Sequence, residues 1–320
     1  MKAKIRPKIG VALSGGGVRG LAHLGVLQVL EEARVPIDFV AGTSMGGIVA
    51  GVYAAGVPVQ EVIEFSKKIG IMDLASRDRG WRGLFGHAKM SKLLVDLLGD
   101  AEIAFEDLQI PAAVVAADVE TGEMVVFNRG PLLPALMATS AFPIVFSPVR
   151  YQERWLVDGG VLNNFPVDIV RHMGAERVLG VTVPSSVKLP LEEERERIRL
   201  SPRALLAFTN RTQDWKLPFL IAEASVSFTA QIVSQIRLSL CPPDLLLEIS
   251  LPNVGLFATD KNAAVIEAGR KEAMRHLAAL VELHTKPLPP RWRRRLKSVA
   301  RRLGRAWAAL REPAYPLFPK

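Results

Sequence analysis

Two short apolar runs, each broken by a cluster of glycines and followed by a helical pattern, constrain this chain most. Lys8–Leu13 leads into Ser14-Gly15-Gly16-Gly17-Val18-Arg19-Gly20, and helical spacing follows over Arg19–Ala33. Asp38–Thr43 leads into Gly42-Thr43-Ser44-Met45-Gly46, with helical spacing through Ala55. Runs of this length are too short for helices and too apolar for loops, so they read as buried strands. Consecutive strands separated by a helix pair in parallel, because a parallel pair needs a crossover of a dozen or more residues.

The alternation continues. Pro111–Ala117 and Met124–Phe127 flank Glu120-Thr121-Gly122, a hairpin signal. Trp155–Val157 leads into Asp158-Gly159-Gly160, and Arg177–Val183 is a further β-branched run. The expected fold is α/β: a three-layer α/β/α domain with a mainly parallel central sheet. Residues 184–200, with the charged stretch 192–197, read as a solvated loop or helix face. Residues 203–239 and 260–283 read as helices of a C-terminal portion that can cover the site. Residues 286–290 read as a proline-containing linker, giving one domain over 1–285 and a tail over 286–320.

Charge sharpens that division. The chain of 320 residues carries a formal +9, yet the last 36 residues hold eleven Lys/Arg against one acid, Glu312. The body is therefore near neutral, which argues against a nucleic-acid surface across it. Within the tail, Trp292, Leu296, Val299, Leu303, Trp307 and Leu310 share one helical face, with arginines and lysines around the other. A basic amphipathic helix with interfacial tryptophans suits an anionic lipid surface over residues 291–311. The single cysteine, Cys241, cannot form an intramolecular disulfide and fits a reducing compartment. No apolar run reaches the ~18 residues of a membrane span, and the basic N-terminus lacks a signal-peptide pattern. The expected location is cytoplasmic, peripheral to the inner membrane surface.

Three motifs carry chemistry. The glycine run lets the backbone approach a ligand closely and offers free N–H groups at a helix start. It also fits Gly-x-Gly-x-x-Gly at 15, 17 and 20, but the acidic residue that would hold a ribose after the second strand is absent. The Gly-Lys-Ser/Thr of a P-loop is absent too. Gly42-Thr43-Ser44-Met45-Gly46 fits the Gly-x-Ser-x-Gly elbow, which presents a serine hydroxyl at the head of a helix. Asp158-Gly159-Gly160 offers a carboxylate, although Asp-Gly is also a favoured turn pair. The order Ser44, Asp158, His172 formally matches a Ser-His-Asp triad, but the elbow follows only the second strand rather than several. No metal-ligand spacing is visible, and no cofactor is expected.

Together, in this order, Gly15–Gly20, Gly42–Gly46 and Asp158–Gly160 resemble the patatin-like phospholipase family. The flanking stretches 117–123, 138–149 and 158–168 are similar to bacterial members, and the resemblance covers roughly residues 8–283. It implies a serine hydrolase of lipid acyl esters with a Ser44 nucleophile and Asp158 as general base. It implies an oxyanion hole at Gly15, Gly16 and Gly17, chiefly through the Gly16 and Gly17 N–H groups, with Met45 as a further donor. Gly20, Gly42, Gly46, Gly159 and Gly160 are the motif glycines. Ser14 stands where many members have Asp. A free Asp titrates near about 3.9 and is a weak base at neutral pH unless burial raises it. Asp118, Asn163 and Asn164 read as turn and positioning residues, and Thr139, Ser140 and Pro143 as walls of the site. The rival readings are a soluble carboxylesterase using the triad, and a non-catalytic membrane-associated regulator.

Overall fold

The computed structural model describes residues 6–70, 73, 76–77, 85–184, 216–252 and 254–287. The charged stretch 192–197, the start of the helix expected from 203, and the basic tail lie outside the described residues.

The strands are β1 (Ile9–Leu13), β2 (Phe39–Thr43), β3 (Ser76–Arg77), β4 (Phe85–Gly86), β5 (Ala112–Asp118), β6 (Met124–Phe127), β7 (Val149–Tyr151), β8 (Arg154–Asp158), β9 (Arg177–Thr182) and β10 (Leu245–Glu248). The helices are α1 (Ala22–Glu32), α2 (Met45–Ala54), α3 (Val59–Lys68), α4 (Ala88–Leu98), α5 (Leu132–Thr139), α6 (Gly160–Asn163), α7 (Val167–His172), α8 (Lys216–Leu240), α9 (Asn262–Arg275) and α10 (Leu277–Thr285). A 3-10 turn, Gly17–Leu21, precedes α1. The single closing helix expected over 260–283 is two helices, α9 and α10, which break at His276.

The main sheet runs β10-β9-β1-β2-β5-β8-β7, with β6 also paired to β5. The five strands from β10 to β5 are parallel, whereas β6, β7 and β8 are antiparallel, so the sheet is mixed. Side chains alternate across a strand, and here the alternation separates large from small. In β1, Ile9, Val11 and Leu13 enter the larger core with α1, α2, α5, α9 and α10. Ala12, Ala41 and Ala113 face the other layer, where Phe165, Val167 and Val170 pack closely. Small residues on that face let α7 sit close to the sheet. Helices on both faces make the three layers.

One detail of the sheet places the chemistry. β2 pairs with β5 from Ala112 to Val115, and β6 pairs with it from Val114 to Ala117. Val114 and Val115 therefore have β2 on one edge and β6 on the other. Ala116 and Ala117 pair with both β6 and β8. A strand has two edges, so β8 takes up the edge that β2 leaves. The two strands run toward each other and meet: Thr43 lies opposite Val115, and Asp158 lies opposite Ala116.

The C-terminal helices brace this arrangement. An added Cβ on Gly269 of α9 would collide with the Ala22 carbonyl, and one on Gly25 of α1 with the Ile266 carbonyl. The absence of side chains at both positions lets α9 lie against α1 almost backbone to backbone.

Candidate active site

Ser44 is the residue between β2 and α2, with φ 56° and ψ −130°. A non-glycine residue rarely adopts this conformation, which costs of the order of 1–3 kcal/mol and must be held by its surroundings. Thr139, the last residue of α5, supplies part of that hold. Its fully buried hydroxyl donates to the Val115 carbonyl at 2.6 Å and accepts the Ser44 N–H at 2.8 Å. Thr43 adds a hydroxyl bond to the Asn163 carbonyl at 2.8 Å. The elbow is thus tied to β5 and to the segment after β8.

Asp158 ends β8 and is 2% exposed. Gly160 N–H donates to its Oδ1 at 2.7 Å. Burial pushes the carboxyl from 3.8 up to about 6, against the opposing effects of a hydrogen bond with the Ser44 hydroxyl and the Gly160 N–H. The head-on meeting of β2 and β8 is what brings this carboxyl to Ser44.

The motif glycines mark where the segments touch. A Cβ on Gly42 would collide with Gly46, one on Gly46 with the Leu13 and Ser14 carbonyls, and one on Gly20 with the Met45 side chain. Gly159 lies against the Val115 carbonyl, and Gly160 against Asn164 and Asp158.

The glycine loop faces the same space, but its N–H groups differ. The Gly15 N–H donates to the Asn164 carbonyl at 3.0 Å, so it is engaged rather than available to a ligand. This corrects its expected place among the donors. The Val18 N–H is likewise bonded, to the Leu256 carbonyl at 2.8 Å. Gly16 and Gly17 N–H make no hydrogen bond among the described residues. Met45 begins α2, where a helix leaves its N–H groups without intrahelical acceptors.

These groups open on a cavity of about 240 Å³, lined by Gly15, Gly16, Gly17, Ser44 and Asp158. Met45, Ile48, Met90, Phe142 and Phe146 give it apolar walls, and α8 closes one side with Val226 and Ala230. The sequence expectation that the C-terminal portion contributes to the site matches this placement of α8. Arg237 anchors α8 through a 3.0 Å ion pair with Asp168 and a 2.9 Å bond to the Leu162 carbonyl.

Other expected residues fall at varying distances. Ser140 lines the cavity, Thr139 lies buried behind it, and Pro143 is not among the lining residues. Asp118 caps the hairpin turn by accepting the Glu120 N–H at 3.0 Å. Asn163 donates to Asp168 at 3.0 Å, and Asn164 lines the cavity. His172 closes α7 and is exposed, with Nδ1 to the Asp168 carbonyl at 2.7 Å. The chain next turns into the start of β9, where Arg177 N–H bonds the Lys8 carbonyl beside the start of β1. His172 therefore sits at the end of the sheet opposite Ser44, about 15 Å away by strand rise. No histidine lines the cavity among the described residues. Thr139, expected as a wall of the site, instead lies behind it and holds the Ser44 N–H.

The chain is similar to proteins already known. An uncharacterised NTE family protein of Mycobacterium tuberculosis is 34% identical over 195 residues, covering 60% of this chain and 53% of its own. The patatin-like phospholipase domain-containing protein 6 of Mus musculus is 33% identical over 188 residues, 55% of this chain and 14% of that protein. The chain thus spans about half the length of the mycobacterial relative. Among solved structures, VipD from Legionella pneumophila shares the fold, with TM-score 0.54 and 14% identity over 87% of this chain and 67% of that one. The sequence profile of the patatin-like phospholipases matches residues 11–171, half of the chain and all three motifs, and the protein belongs to that family.

Proposed function

We propose that the protein hydrolyses acyl esters of lipids through a Ser44–Asp158 dyad. The observation that carries this reading is the buried Asp158 carboxyl beside the Ser44 hydroxyl at the elbow, both opening on a cavity with apolar walls. Asp158 accepts the hydroxyl proton as Ser44 attacks the ester carbonyl. The tetrahedral oxyanion is held by the N–H groups of Gly16, Gly17 and Met45. Collapse releases the alcohol, which takes the proton from Asp158, and leaves an acyl-serine. Water then gives its proton to Asp158 and attacks the acyl-serine. The second tetrahedral intermediate collapses, the bond to Ser44 breaks to release the carboxylic acid, and the same carboxyl returns the proton to Ser44. A carboxyl with a pKa near 6 is better matched to this shuttle than one at 3.8. The apolar walls suit an acyl chain.

Two further readings belong to this proposal. The domain spans residues 1–285, and the basic stretch 291–311 places the enzyme on anionic lipid. Among the described residues no helix is long and apolar enough to cross a membrane.

The test is labelling by a fluorophosphonate probe in the wild type and in Asp158→Asn, with matched circular dichroism. Labelling at Ser44 that falls sharply in Asp158→Asn supports the dyad. A folded Asp158→Asn protein that labels as fast as wild type removes Asp158 from it, and a folded wild type that never labels removes the hydrolase.

A further inference from the structure

His23 lies in the first turn of α1, directly beneath the glycine loop, and none of its surface is exposed. Its Nε2 is 2.7 Å from the Ser14 carbonyl oxygen. A carbonyl only accepts, so Nε2 must carry the proton. Burial lowers the ring pKa to about 4, against the raising effect of this bond, so at neutral pH the ring holds one proton. Its other nitrogen, Nδ1, is buried without a hydrogen-bond partner among the described residues.

The Ser14 carbonyl and the Gly15 N–H belong to one planar peptide and point in opposite directions. His23 holds the first, and the Asn164 carbonyl holds the second at 3.0 Å. Ser14 is fixed further by its N–H to the Val181 carbonyl at 3.0 Å and by the Val183 N–H to its hydroxyl at 3.1 Å. This peptide is therefore clamped at both ends. The following peptides, which present the Gly16 and Gly17 N–H groups, are flanked by glycines. Glycine backbones rotate easily between conformations, so the direction of those N–H groups depends on what anchors the loop.

We propose that His23 is a positioning residue of the reaction: its hold on the Ser14 carbonyl sets the Gly15–Gly17 backbone so that the Gly16 and Gly17 N–H groups converge on the oxyanion. The inference rests on the reading of this loop as an oxyanion hole and adds the residue that orients it. An apolar side chain would fill the same space without leaving Nδ1 unpaired. It would not hold the carbonyl.

The experiment uses the full chain and a short-chain p-nitrophenyl ester, with active sites counted by fluorophosphonate titration. His23→Leu should lower kcat per titrated site tenfold or more, as expected when oxyanion donors are misaligned, and leave KM nearly unchanged. His23→Gln, whose amide N–H can reach the same carbonyl, should recover most of the loss. A His23→Leu enzyme with fewer titratable sites but unchanged kcat per site overturns the proposal, because that is the mark of a purely structural residue. Should His23→Leu fail to fold, nitrogen-15 NMR of the histidines in wild type decides. A neutral His23 protonated at Nε2 supports the clamp, and protonation at Nδ1 overturns it. Ser44→Ala is the control on the underlying reading. Its loss of turnover assigns the hydrolysis to Ser44, whereas persistent turnover refutes the active site itself and the role of His23 with it.

Discussion

Replacing Asp158 by Asn should make the protein more stable while removing its activity. Burial holds the Asp158 carboxyl at about 6 in the fold, against 3.8 ordinarily. The folded protein therefore binds this proton more tightly than the unfolded chain does. The associated stability is fully present below pH 3.8 and is lost as pH rises through about 6. At neutral pH the fold carries an ionised, desolvated carboxylate at a cost of about 3 kcal/mol. Asn keeps the shape and can still accept the Gly160 N–H through its own Oδ1. It has no charge to desolvate. Urea unfolding of wild type and Asp158→Asn between pH 4 and pH 8 measures the difference. The two should be nearly equal at the acid end, and the variant should gain by about 2–4 kcal/mol at the neutral end. In parallel, wild-type kcat/KM should rise with pH through about 6 as the base loses its proton. A variant less stable than wild type at neutral pH, or a difference that does not change with pH, would refute the account of Asp158 as a carboxylate held against desolvation.

Three further outcomes are expected. Thr139→Val should cost about 1–3 kcal/mol, because it leaves the part-buried Ser44 N–H without its acceptor and the buried Val115 carbonyl without its donor; kcat should fall with it, and an unchanged denaturation midpoint would contradict the role given to this hydroxyl. His172→Ala should leave ester turnover intact and change stability by no more than about 0.5 kcal/mol, as for an ordinary surface position; loss of turnover in a folded protein would revive the triad. Deleting residues 286–320 should weaken sedimentation with anionic vesicles while sparing hydrolysis of a soluble short-chain ester, and equal vesicle binding with and without the tail would remove its membrane role.

Much of the site was legible because its parts are local. The glycine run and the elbow each sit within a few residues of a strand end, and their chemistry is written in consecutive letters. The β5–β6 hairpin was legible from Glu120-Thr121-Gly122 for the same reason. What could not be read is non-local. Nothing in Trp155–Val157 says that this strand runs antiparallel to β5, or that it occupies the edge β2 vacates. Thr139 looks like any small residue at a helix end until the Val115 carbonyl and the Ser44 N–H are seen on either side of it. His23 sits among apolar neighbours on α1, and its importance depends on a carbonyl nine residues earlier in the chain. Gly15 shows the converse error. Its place in the motif suggested a donor to ligand, and the fold had already used that N–H on Asn164.

The abutment of β2 and β8 also bears on how this protein can change. Thr43, the residue before Ser44, and Asp158 lie opposite successive residues of β5, Val115 and Ala116. The long stretch of chain that separates them in sequence does not set their distance. Insertions at the exposed Thr121-Gly122 tip can therefore lengthen the β5–β6 hairpin without changing the spacing of Ser44 and Asp158. A single residue added within β5 would do the reverse, sliding one partner out of register and turning its side chain to the opposite face. Architecture of this kind separates the part that must stay fixed from the part that is free to diversify, and it locates the fixed part in a few residues of a strand that bears neither Ser44 nor Asp158.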